Sequence, residues 1–163
     1  MILISIGSNL PSAVDGPAET CTAALAEFER RGARVTARSP WYETAPIPAS
    51  DQPWFVNGVA RVETDLAPGA LLACLHAIEA GFGRARTAPN AARPLDLDLL
   101  AYDSLVRTDT APLLPHPRMQ DRAFVLLPLR DVAPEWTHPV SGLSVAALIA
   151  ALPPGQLIRP LKP

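Results

Sequence analysis

Leu95-Asp96-Leu97-Asp98-Leu99-Leu100 is the stretch that most restricts this chain. Alternation along an extended strand sends Leu95, Leu97 and Leu99 into one face and Asp96 and Asp98 out of the other. The two aspartate Cα atoms then stand about 6.5–7 Å apart. Two carboxylates on one face of a leucine-backed strand repel each other and lose hydration unless cations neutralise them. Magnesium suits such a pair, because it takes a few carboxylates and keeps its other positions for water and phosphate oxygens. Two ions about 3.5–4 Å apart fit the span. A solvated acidic strand face, or ion pairs from both aspartates to nearby arginines, is the alternative that spacing alone leaves open.

The neighbourhood favours phosphate. Arg84, Arg86 and Arg93 precede the acidic pair, and Arg118 and Arg122 follow it. That surplus of guanidinium beside two acids suits a polyphosphate, with magnesium and arginine sharing the neutralisation. Of the 14 basic residues only Lys162 is a lysine, so any anion gripped by a charged side chain is gripped mainly by arginine. His116, between two prolines, is either a turn residue or a hydrogen-bond donor to phosphate. There is no GxxxxGK[ST] loop and no zinc-type ligand cluster. A nucleotide must therefore be held by side chains and covering loops.

Hydropathy patterning places these residues in one α+β domain spanning 1–163. Ile2 to Ile6 reads as a buried strand ended by Gly7-Ser8-Asn9, and Pro17 to Arg31 as a helix stopped by Gly32. Arg34 to Tyr42 reads as a strand, and Trp54 to Glu63 as the clearest strand, with Phe55 and Asn57 on one face. Pro68 opens a second helix, and Leu95 to Tyr102 is the next strand. Met119 to Val132 reads as a helix interrupted near Pro128, followed by a short helix from Val145 to Leu152 and an extended tail. The proline-rich Ala45 to Pro53 and the irregular Arg84 to Pro94 are candidate functional loops. The order strand, helix, strand, strand, helix, strand predicts a ferredoxin-like antiparallel sheet with helices packed on one side.

A net charge of −2 gives no general attraction for nucleic acid or anionic membrane. No apolar run approaches the roughly 18 residues of a membrane span. Cys21 and Cys74 form no paired framework, and the first residues lack a signal-peptide pattern, so a cytoplasmic protein is expected.

Several motifs occur in order: Gly7-Ser8-Asn9-Leu10, Tyr42-Glu-Thr44-Ala-Pro46, Asp51-Gln52-Pro53-Trp-Phe55-Val-Asn57, Ile78-Glu79 and Gly83-Arg84-Ala-Arg86. Arg93-Pro-Leu-Asp96-Leu-Asp98-Leu, Leu114-Pro-His116-Pro-Arg118, Arg122-Ala-Phe124-Val-Leu and Pro128-Leu complete the series. Across residues 2 to 140 the chain resembles the 6-hydroxymethyl-7,8-dihydropterin pyrophosphokinases of folate biosynthesis. The resemblance implies ATP as co-substrate and two Mg2+ ions bound by Asp96 and Asp98. It implies a catalytic set of Asp96, Asp98, Arg84 and Arg93. The pterin would lie against Phe55 and Phe124, hydrogen-bonded by Asn57 with Thr44 and backbone groups near Ala45 and Ile47. ATP would be contacted by His76, Glu79, Arg84, Arg86, Arg93, His116, Arg118 and Arg122. The expected partners are these small molecules, with no nucleic acid and no membrane, and the expected state is a monomer. The residues by themselves leave two other readings: another magnesium-dependent phosphotransferase or nucleotidyltransferase, and a non-catalytic ferredoxin-like RNA-binding module.

Overall fold

A computed structural model describes residues 1–12, 15–84 and 91–162. The elements run β1 (Ile2–Ser8), α1 (Pro17–Arg30), β2 (Arg34–Arg38), β3 (Tyr42–Thr44), β4 (Phe55–Glu63), α2 (Pro68–Gly81) and β5 (Asp96–Tyr102). A 3-10 turn (Met119–Asp121), α3 (Ala123–Val132), α4 (Val145–Ala150) and β6 (Ile158–Pro160) complete the chain. One sheet holds all six strands in the order β5-β1-β4-β3-β6, with β2 also on β4, and every pairing is antiparallel. The arrangement of β1, β2, β4 and β5 is the ferredoxin-like one.

Helices cover both faces, not one. Cys21, Ala24, Leu25 and Phe28 of α1, with Leu71, Leu75 and Ile78 of α2, pack on Ile2, Ile4, Ile6, Leu97 and Leu99. On the opposite face Val125, Leu126 and Leu129 of α3 and Val145 and Leu148 of α4 pack on Leu3, Val59 and Leu100. Alternation explains the division, since odd and even residues of a strand serve different cores. The segment from residue 119 to 150 carries enough apolar residues to cover the second face, which an α+β pattern counted only to β5 leaves bare.

Three boundaries differ from the sequence reading. The strand expected over Arg34 to Tyr42 is two strands, because Pro40 lacks the N–H a continuous ladder needs and Ser39 instead bonds Val59. Gly7 and Ser8 belong to β1 rather than to a turn. Pro128 lies within α3 without ending it, and the break sits at Arg122, whose φ −119° and ψ 109° are extended. Lacking an N–H, Pro128 leaves only the Phe124 carbonyl without its helical donor, early in a short helix.

Candidate active site

Strand register assembles the site. Gly7 in β1 is opposite Asp96 on one side and Asn57 on the other, while Ser5 is opposite Asp98 and Val59. Residues opposite one another in paired strands point to the same face, so Asp96, Gly7 and Asn57 form one row and Asp98, Ser5 and Val59 the next. Both rows look toward the face covered by α3. Strands spaced about 4.8 Å apart put Asp96 and Asn57 roughly 10 Å from each other. The residue between them has no side chain. A Cβ on Gly7 would lie 2.6 Å from Asn57 Oδ1, so only glycine leaves that floor open.

The acidic half is braced from α2. Glu79 is buried on the apolar stripe of that helix. Its Oε1 accepts from the Leu97 N–H at 2.8 Å, between the two aspartates, and from Arg84. Gly83, at φ +85°, turns the chain back after the helix, and the Arg84 N–H bonds the Glu79 carbonyl. Arg84 Nη1 then reaches Asp96 Oδ1 at 2.6 Å, and Arg93 Nη1 reaches the same oxygen at 3.0 Å.

Asp98 has different surroundings. His116 Nε2 is 4.0 Å from its Oδ2. Burial first, and then the Asp96 charge, push the Asp98 carboxyl above the usual carboxylate range, against the pull of His116, Arg122 and Arg84. Burial likewise lowers His116, favouring the neutral ring. His116 Nδ1 accepts from the Arg118 N–H at 3.2 Å, which leaves the ring proton on Nε2, facing the acid.

On the other side of Gly7 the lining changes character. Asn57 Nδ2 donates to Thr44 Oγ1 at 2.6 Å, and both residues are buried. Phe55 shares the Asn57 face and pairs with Thr44. Phe124 packs at the edge of the α3 core, with the Arg122 guanidinium 5.3 Å from its ring centre. The Ala45 N–H donates to the Leu157 carbonyl, so that donor is already engaged, and Ile47 is exposed. One half of the floor therefore suits an anion or a cation bound with it, and the other suits a flat polar ring.

The family model for 7,8-dihydro-6-hydroxymethylpterin-pyrophosphokinase matches residues 3–134. The chain belongs to this family. It is 43% identical over 153 residues to a 2-amino-4-hydroxy-6-hydroxymethyldihydropteridine pyrophosphokinase of Pseudomonas aeruginosa, covering 93% of this chain and 91% of that one. It is 36% identical over 148 residues to the protein of that name from Synechocystis, covering 90% and 73%. A folic acid synthesis protein of Pneumocystis carinii is 36% identical over 146 residues, but this chain spans only 19% of its length. Among solved structures, a triple mutant of Plasmodium falciparum HPPK-DHPS superposes with a TM-score of 0.71 at 15% identity. That match covers 92% of this chain and 44% of the other, and it shows the shared fold.

The register and ion pairs bring together Asp96, Asp98, Glu79, Arg84, Arg93 and His116, and Thr44, Phe55 and Asn57 adjoin them. Arg122 and Phe124 stand at the start of α3. His76 and Arg118 are solvent-exposed, and Arg86 lies outside the described residues. Asn9 had no assigned role beyond its motif, yet it is buried and its side chain joins two segments. Its Oδ1 accepts from the Arg93 N–H at 2.9 Å, while Nδ2 donates to Gln52 Oε1 and the Pro53 carbonyl, each at 3.2 Å. A polar amide directly after a buried strand was the available signal.

Proposed function

We propose that the chain transfers the diphosphoryl group of ATP to the hydroxymethyl oxygen of 6-hydroxymethyl-7,8-dihydropterin, releasing AMP, in folate biosynthesis. The row Asp96, Gly7, Asn57 carries the reading, because it joins an acidic, arginine-lined half to an amide- and aromatic-lined half across an open floor. Family membership supports this reaction over another phosphotransferase or an RNA-binding module.

Asp96 and Asp98 would hold two magnesium ions. The donor set fits: two hard carboxylates on one face, while among the described residues no group of three or more His, Cys, Asp or Glu is arranged to hold a metal ion. Such a set suits a cation that completes its shell with water and phosphate oxygens. When bound, magnesium neutralises phosphate charge and aligns the attacking and leaving oxygens.

The rest falls to the chain's own residues. Arg84 and Arg93 turn from Asp96 toward the triphosphate, with Arg86, Arg118 and Arg122 adding charge and neutral His116 donating through Nε2. His76 and Glu79 complete the nucleotide side, His76 from the exposed face of α2 and Glu79 by bracing Arg84. Phe55 and Phe124 hold the pterin faces. Asn57, oriented by Thr44, reads its polar edge, with backbone groups near Ala45 and Ile47. A bond forms from the hydroxymethyl oxygen to the β-phosphorus as the α-phosphate oxygen leaves in AMP, and the alcohol's proton passes to water. Segment 45–53 closes over the anhydride and excludes water, and most of the other candidate loop, 85–90, lies outside the described residues. The enzyme works as a cytoplasmic monomer, a setting consistent with unpaired Cys21 and Cys74; no described helix is long and apolar enough to cross a membrane.

Asn57→Ala tests the acceptor side. Losing the paired edge raises the acceptor KM about tenfold or more and leaves the ATP KM nearly unchanged in steady-state kinetics. An unchanged acceptor KM contradicts the assignment.

A further inference from the structure

Gln156 and the residues after it lie more than twenty residues beyond the span matched by the family model, which ends at 134. They nevertheless bond to both sides of the proposed acceptor site, the start of α3 and the end of β3. Pro153-Pro154-Gly155, with Gly155 at φ +85°, turns the chain after α4 and delivers Gln156 to the start of α3. There Gln156 Oε1 accepts from the Ala123 N–H at 2.8 Å, and Nε2 donates to the Asp121 carbonyl at 2.9 Å. Nε2 also reaches the Pro153 carbonyl at 3.4 Å.

These bonds hold the peptide groups on either side of Arg122. That residue is the N-cap of α3 and supplies no capping side chain, so the first helical N–H is satisfied from a distant part of the chain. The next residue, Leu157, accepts from the Ala45 N–H at 3.1 Å. From there β6 pairs with β3, Ile158 opposite Thr44 and Arg159 opposite Glu43. Arg159 adds an ion pair to Glu43 at 2.7 Å and stacks 5.0 Å from the Trp54 ring centre. Adjacent tail residues thus fasten the wall carrying Phe124 and Arg122 and the wall carrying Thr44 and Ala45.

We propose that Gln156-Leu157 is a tie across the acceptor site, with Gln156 a positioning residue that acts through Phe124. Two consecutive residues span a fixed length of backbone, so they set how far apart the walls stand. A flat ring between the walls is sensitive to that gap. The inference rests on the reading of the pocket as the pterin site.

The test is steady-state kinetics on Gln156→Ala and on Gln156→Met, which fills the same space without hydrogen bonds. Both variants should raise the acceptor KM about tenfold, as the α3 wall relaxes from the position that fits the ring. The ATP KM and kcat should stay within about twofold, while the melting temperature falls by a few degrees as the Ala123 N–H loses its acceptor. Combined with Phe124→Ala, the Gln156→Ala effect should largely vanish, because the residue acts through that ring. An unmoved acceptor KM overturns the tie. So does a parallel rise in both KM values, or fully multiplicative effects in the double mutant. Wild-type turnover separates the two levels: wild-type protein that makes no AMP from this acceptor refutes the pocket reading and the tie together. An active wild type with an unaffected Gln156→Ala refutes the tie alone.

Discussion

Asp98→Ala lowers turnover by about three orders of magnitude or more, the scale of losing roughly 4 kcal/mol of charge stabilisation in the transition state. The protein should remain folded, because the Asp98 side chain is a liability in the ligand-free state. Its pKa is raised by burial and by Asp96, which means the fold disfavours the charged form. Asp98→Asn therefore raises the melting temperature at pH 7, by about 2–4 °C for each kcal/mol relieved. The sign of the pH dependence follows. A raised pKa contributes stability that is present below the ordinary carboxylate pKa and lost as pH rises through the folded value. The gain from Asn should shrink in acid, where the wild-type residue is neutral as well. Thermal melts across pH with a parallel activity assay check both parts. A variant that is active, or one that melts lower at every pH, contradicts the account of this residue.

Glu79→Ala should cause the largest loss of stability, about 3 kcal/mol or more. It leaves the Leu97 N–H without its 2.8 Å acceptor and strips Arg84 of a buried partner. For a domain of this size that is a fall of roughly 6–12 °C in melting temperature. Activity should fall with it, because the bond to Leu97 fixes the strand between the two aspartates. Glu79→Gln keeps an oxygen for Leu97 and should recover most of the stability. It should not recover ATP binding fully, since Arg84 then has no counter-charge on α2. A Glu79→Ala protein with the wild-type melting temperature would contradict the bracing role.

The candidate site was legible in the sequence where chemistry and alternation coincide. Asp96 and Asp98 occupy one strand face because leucines alternate with them, and Phe55 and Asn57 share a face for the same reason. What joins the two pairs was not legible. Gly7 looked like the end of a strand, and only its register against both Asp96 and Asn57 reveals it as the gap between them. Glu79 fell in an apolar helix stripe, where its partner Leu97 is 18 residues away. The second layer of helices was missed because local periodicity identifies a helix but not the sheet face it covers. Gln156 carries no local signal, since its partners Ala123 and Asp121 are brought to it only by the path of α4 and the tail.

The most direct measurement of the central claim is the identity of the nucleotide released when wild-type protein meets ATP, Mg2+ and 6-hydroxymethyl-7,8-dihydropterin. Chromatography should find AMP in equal amount to a pterin diphosphate, with neither formed when the pterin is omitted. Release of ADP, or no pterin-dependent turnover, would contradict it.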